Sequence, residues 1–238
     1  MNPSGQMKKK LREKIWNLLE ERGMSRFPWP ILHRIPNFKG SEIAAEKLTS
    51  SREFLRAKVL KINPDAPQRP VRFLALRMGK QVLMPTPRLR DGFILLDPDL
   101  IDSSDHRKAA SIAGAFSHGI KVDLDNIPKI DMVIMGSVCV TKDGGRLGKG
   151  EGYAEIEFAV LRELGRVGEK TPISTTVHDL QIVEKIPHEV HDVSLDTIFT
   201  PTQEIVTQTK YSRPKGIIWE LLADQRLEEM PILKRLRH

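Results

Sequence analysis

Apolar residues recur along this chain at two different spacings, and the two alternate. In residues 8–22, Leu11, Ile15, Leu18 and Leu19 follow a 3.6-residue period that predicts a helix, and Gly23 stands where a C′ glycine would stop it. Residues 27–36 are rich in proline and aromatics and read as an extended strap. A second helix is expected over 41–48 with Ser41 as N-cap. Val59–Ile62 is strand-like and is closed by Asn63-Pro64-Asp65. The apolar runs 71–76 and 81–84, separated by Gly79-Lys80, predict two strands joined by a turn. A helix is expected over 105–117, capped by Gly119. Residues 130–135 form a continuous apolar run of strand length, the pattern of a central parallel strand covered on both faces. A helix over 154–164, strands over 172–177 and 197–200, and a last helix over 217–227 before Pro231 complete the reading. Strands alternating with helices predict a layered α/β fold. No repeat or low-complexity linker divides the chain, so residues 1–238 are read as one domain, with 1–50 as an N-terminal helical extension packed on it.

Composition narrows the class. Hydrophobic content of 39% suits a water-soluble domain, and no stretch approaches the roughly 20 apolar residues of a membrane helix. The basic opening is not followed by a signal-peptide apolar core. Cys139 is the one cysteine, which excludes an internal disulfide; a cytoplasmic setting is the expectation. Within Val138-Cys139-Val140 the thiol reads as a buried strand residue rather than a nucleophile. A net charge of +7 suits polyanionic partners, whether nucleic acid or small ligands such as ATP or a polyglutamylated cofactor. There is no aromatic RNA-binding run and no zinc-ligand spacing. Lys and Arg are dispersed among acids, so small anions are favoured over nucleic acid.

The chemistry concentrates in Arg146-Leu147-Gly148-Lys149-Gly150-Glu151-Gly152-Tyr153-Ala154-Glu155. Alternating glycines let backbone N–H groups approach a ligand without Cβ interference, and the helix that follows adds a partial positive charge at its start. Arg146 and Lys149 add two full charges, so the loop is either a phosphate cradle or a tight functional turn. It is not a P-loop, because Gly150 follows Lys149, and it lacks the third Rossmann glycine where Tyr153 stands.

Three blocks make the chain resemble the 5-formyltetrahydrofolate cyclo-ligase family, also called methenyltetrahydrofolate synthetases: Lys8-x-x-Leu11-Arg12; Ile130-Asp131-Met132-Val133-Ile134 leading to Gly145-Arg146 and the glycine loop; and Gln181-Ile182-Val183, Ile186-Pro187, His191-Asp192-Val193 and Asp196. It is more similar still to the methenyltetrahydrofolate synthase domain-containing branch, through Arg34-Ile35-Pro36-Asn37-Phe38-Lys39-Gly40, Pro85-Thr86-Pro87-Arg88-Leu89-Arg90, the loop and Val177-His178-Asp179. The resemblance implies a three-layer, Rossmann-like α/β sheet with helices on both faces. It also implies an enzyme that uses ATP and Mg²⁺ to convert 5-formyltetrahydrofolate to 5,10-methenyltetrahydrofolate through phosphorylation of the formyl oxygen, working as a monomer or homodimer.

By the same resemblance, Lys8 and Arg12, four residues apart on one helix face, reach the ATP phosphates; the alternative is a solvated basic face. Arg146 and Lys149 take the catalytic, charge-neutralising roles, and the stretch Arg146, Leu147, Gly148, Lys149, Gly150, Glu151, Gly152 and Tyr153 binds the cofactor. Glu155 stands where the family usually has a metal-holding aspartate, and Asp192 matches a second metal carboxylate. Arg88, in its proline frame, either holds a ligand anion or lies on the surface, and His178 either faces a crevice or is structural. Ala154 replaces a usual aromatic, and only Asp65 is acidic where the classical enzymes carry a folate-contacting glutamate. These departures keep open a repurposed paralog that binds a nucleotide, folate or RNA.

Overall fold

The computed structural model describes residues 3–237. Its elements are α1 (Pro3–Glu21), β1 (Ser25–Arg26), β2 (Asn37–Phe38), α2 (Ser41–Thr49), α3 (Arg52–Arg56), β3 (Val59–Ile62), α4 (Arg69–Arg77), β4 (Gln81–Pro85) and β5 (Phe93–Leu96). They continue with α5 (His106–Ala109), α6 (Ile112–His118), β6 (Ile120–Val122), β7 (Met132–Ile134), β8 (Cys139–Val140), β9 (Arg146–Leu147), α7 (Tyr153–Glu163), β10 (Ile173–Thr176), β11 (Thr197–Phe199), β12 (Glu204–Val206) and α8 (Asp224–Glu229).

One eight-stranded sheet runs β12-β11-β10-β7-β3-β4-β5-β6. The middle five strands are parallel, and antiparallel pairing begins at β12 on one side and at β5 on the other. Successive side chains point to opposite faces, which places Leu60, Ile62, Val82, Met84, Met132 and Ile134 in a core shared with α2 and α4. Leu83, Phe93, Val133 and Met135 enter the opposite core, with Phe158, Val160 and Leu161 of α7. These are the three layers expected. A third cluster lies under α1, where Ile15, Trp16 and Leu19 pack on Ile31, Ile35, Val138, Cys139 and Leu147.

Several expected elements are corrected. The run 71–76 is not a strand but the centre of α4, buried through Val71, Arg72, Ala75 and Leu76. Pro70 presets the first turn, and Gly79, at φ +70°, follows its end. The expected helix over 105–117 is two, because Ser111 is extended and its hydroxyl accepts from Gly114 N–H to start a new one. The expected helix over 217–227 is a 3₁₀ turn, Trp219–Leu221, followed by α8. Ser41 is the first residue of α2 rather than its cap; Gly40, at φ +89°, precedes it. No helix among the described residues is long and apolar enough to cross a membrane.

Candidate active site

The sheet itself sets the position of the site. From β3 the chain moves to β4 on one side, and β7 later joins β3 on the other, so strand order reverses between β3 and β7. In open α/β sheets the crevice beyond the carboxyl ends of two such strands is where ligands bind. A cleft of about 1030 Å³ opens there, lined by Asn63, Pro64 and Asp65 after β3, Gly136 after β7, one face of α1 and the loop 146–155. Gly136 allows the two strand ends to approach, since a Cβ there would lie 2.6 Å from Asp65 Oδ2.

The glycine loop is held on several sides. Arg146 is buried; its Nη1 donates to Glu155 Oε1 at 2.5 Å and its Nε to the Gly136 carbonyl at 3.2 Å. One planar guanidinium therefore joins β9, the first turn of α7 and the end of β7. Arg12 Nε donates to the Gly148 carbonyl at 2.8 Å. Gly150, at φ +107°, passes so close to Arg12 that a Cβ would stand 3.1 Å from Cζ. Gly152, at φ +73°, turns the chain into α7, no side chain caps that helix, and its first residues line the cleft. Tyr153 donates from its hydroxyl to Glu229 at 2.9 Å and carries the Arg226 guanidinium 4.5 Å over its ring. Arg226 also donates to the Glu151 carbonyl at 2.8 Å, so α8 braces the loop. Lys149 pairs with Glu151 at 2.8 Å in a half-exposed surface contact, a kind worth little, so its ammonium is available to an anion in the cleft.

Electrostatics follow from this packing. Burial pushes the Glu155 carboxyl up, but the Arg146 guanidinium, with a backbone N–H and His191, holds the group below the usual range. Asp65 is raised, by burial first, against the opposing pull of Lys149, Arg72 and Arg146. Cys139 is pushed up to about 12 by burial and stays a thiol.

The structure gathers Lys8, Arg12 and the whole 146–155 stretch on one cleft. Within it, Lys8 is buried and is bonded to Asp192 at 2.7 Å and Glu189 at 2.8 Å. Asp192 groups with Glu189 and His191, whose donor atoms all lie within 4.8 Å of one another, a set able to hold a metal; Glu155 faces the same cleft but is paired with Arg146. Leu147 packs in the cluster beneath α1 and so anchors the loop. Glu189 and His191 were not singled out, although Glu189-x-His191-Asp192 puts three donors within four positions. Lys61 and Glu157, paired at 2.6 Å beneath the cleft, were also missed; the signal was a lysine inside an otherwise apolar strand. Arg88 lines the cleft at φ +55°. His178 is structural: its Nδ1 accepts from Leu180 N–H, its ring packs edge-on against Phe38, and burial lowers its pKa.

A mostly parallel α/β sheet with helices on both faces and a glycine-lined cleft at its switch point defines a doubly wound α/β protein. Residues 4–201 match the 5-formyltetrahydrofolate cyclo-ligase family, and the chain belongs to that enzyme family. It is 42% identical to the bovine (Bos taurus) methenyltetrahydrofolate synthase domain-containing protein over 99% of this chain and 63% of that one. Against the human (Homo sapiens) protein of the same description it is 40% identical, over 98% of this chain and 62% of that one. The chain thus spans a little under two thirds of the length of these relatives. In fold it is similar to the Aquifex aeolicus 5,10-methenyltetrahydrofolate synthetase, with a TM-score of 0.54 at 20% identity over 87% of this chain and 95% of that one.

Proposed function

We propose that the chain is an ATP- and Mg²⁺-dependent cyclo-ligase that converts 5-formyltetrahydrofolate to 5,10-methenyltetrahydrofolate, releasing ADP and phosphate. The observation that carries this reading is the convergence of Arg12, Arg146 and Lys149 on the uncapped start of α7, at the switch point of the sheet. In the proposed reaction the formyl oxygen displaces ADP from the γ-phosphorus. The ring-closing nitrogen then attacks the activated carbon, and phosphate departs with the formyl oxygen.

Such chemistry depends on positioning and charge neutralisation. Arg146 is already oriented by Glu155 and Gly136, so it meets developing phosphate charge without reorganising. Arg12 is steered by the Gly148 carbonyl, and Lys149 needs only to leave a solvent-exposed partner. Glu189, His191 and Asp192 fit a divalent ion, two carboxylates and a ring nitrogen being a suitable donor set. The carboxylates of Glu189 and Asp192 would hold Mg²⁺, with Glu155 in the same cleft, and the ion's chemistry is to neutralise phosphate charge. Lys8, now on Asp192 and Glu189, would turn to the phosphates when the ion takes its carboxylates.

The test is formation of the methenyl product, followed by its near-UV absorbance. The expected result is product that requires ATP and is lost in Glu155→Ala and in Asp192→Ala. Absence of product from folded wild-type protein would overturn the cyclo-ligase and leave a repurposed paralog with the same anion cradle.

A further inference from the structure

The face of α1 that lines the cleft is a ruler. Lys8, Arg12 and Trp16 recur at four-residue spacing, so each step is about one 5.4 Å turn. Lys8 marks the carboxylates of Glu189 and Asp192, and Arg12 marks the glycine loop at Gly148. Trp16 marks the strap between β1 and β2: its Nε1 donates to the Arg34 carbonyl at 3.0 Å and its ring meets His33 edge-on at 5.6 Å. The far end of the strap, at His33 and Arg34, thus sits one turn beyond Arg12, and Phe27, Pro28 and His33 line the same cleft.

This strap leaves aromatic surface in water. Phe27 is 70% exposed and Trp29 is 59% exposed, their rings edge-to-face at 6.0 Å. The backbone beneath them is held firmly. Ser25 pairs with Phe38 and Arg26 with Asn37, and the Asn37 side chain donates to the Phe27 carbonyl at 2.8 Å. An exposed aromatic on a fixed backbone at the edge of a cationic cleft presents a π face to a planar ring.

We infer that the strap, through Phe27 and Pro28, is the stacking platform for the purine base of the nucleotide. The inference rests on the ATP reading above and adds to it the residues that select the base. A purine is tied to its phosphates through one sugar, a separation on the scale of one helical turn, and Lys9 and Arg12 line the same cleft as Phe27 and Pro28. The rings of a folate carry no such tether to the phosphate loop.

The experiment compares wild type and Phe27→Ala by calorimetry with three probes: ATP, inorganic tripolyphosphate and 5-formyltetrahydrofolate. Phe27 is mostly exposed, so the variant keeps its fold, checked by an unchanged denaturation midpoint. ATP affinity is expected to fall about tenfold, as loss of one base–aromatic stack implies, with tripolyphosphate and folate unaffected and Phe27→Trp restoring ATP. An unchanged ATP affinity, an equal loss for tripolyphosphate, or a loss confined to folate overturns the platform. Wild type that binds neither ATP nor tripolyphosphate overturns the nucleotide reading itself, a different failure. Wild type that binds tripolyphosphate as tightly as ATP overturns the platform alone.

Discussion

Lys8 and Asp192 are 184 residues apart in the chain, yet Lys8 Nζ stands 2.7 Å from Asp192 Oδ2, with both side chains nearly excluded from water. The same carboxylate oxygen accepts the Glu189 N–H at 2.8 Å, so the turn that carries the candidate metal ligands is tied to the first helix. Until a divalent ion arrives, an ammonium is the cation of this cluster.

Removing that ammonium leaves a buried carboxylate unpaired, a change that typically costs about 3–5 kcal/mol. Lys8→Met should therefore lower unfolding free energy by an amount of that order in urea. Lys8→Met combined with Asp192→Asn should recover part of it. Losses of Lys8→Met and Asp192→Asn that simply add in the double variant would show that the two groups are not coupled.

Glu155 supplies a pH test. Burial pushes its carboxyl up, but Arg146, a backbone N–H and His191 together hold it below the usual carboxylate range. A carboxylate depressed in the folded state contributes stability that is present above the unfolded value and is lost as pH falls through the folded value. Glu155→Gln should thus be less stable than wild type at pH 7, by about 1–3 kcal/mol for a lost charged hydrogen bond. The gap should close as pH falls below about 4.5. A gap that is constant from pH 7 to pH 3 would remove the ion pair as its cause.

Lys61 and Glu157 form a second charge pair, at 2.6 Å, with Asn63 Oδ1 accepting from the same ammonium at 3.0 Å. Both side chains are buried, and burial raises the Glu157 carboxyl even with Lys61 beside it. Lys61→Met alone should cost about 3–5 kcal/mol, whereas Lys61→Met with Glu157→Leu should be neutral or stabilising, because the desolvation of both charges is relieved together. Glu157 lines the cleft, so turnover in the stable double variant separates a structural pair from one that shapes the site: unchanged KM and kcat would mark it as structural.

Where chemistry and chain neighbours coincide, the site was legible. The glycine loop announces itself because its cations, its flexible residues and the helix start are contiguous. Lys8 and Arg12 share a face because one helix spaces them. The run 71–76 misled because six residues with one interior arginine carry no decisive period; Arg72 is buried with its guanidinium donating to the carbonyls of Asn63, Pro64, Asp65 and Ala110, a role no local pattern discloses. The short strand β5 passed unnoticed between proline-rich turns, and β6 and β12 are outer strands whose residues are mostly exposed, which blurs the alternation that marks a half-buried strand.

By itself the sequence determined the α/β class, the central apolar strand, the glycine loop with its flanking cations and the family, since each is written in neighbouring residues or in a fixed order of motifs. Tertiary structure alone decided that strand order reverses between β3 and β7, and therefore where the cleft opens. It also decided that Lys8 neutralises Asp192, that Arg146 is oriented by Glu155 and Gly136, and that exposed aromatics on the strap border the cleft. The physical reason is range. Backbone propensity and side-chain periodicity act over a few residues, whereas burial and charge pairing act through space between segments whose proximity only the complete packing establishes.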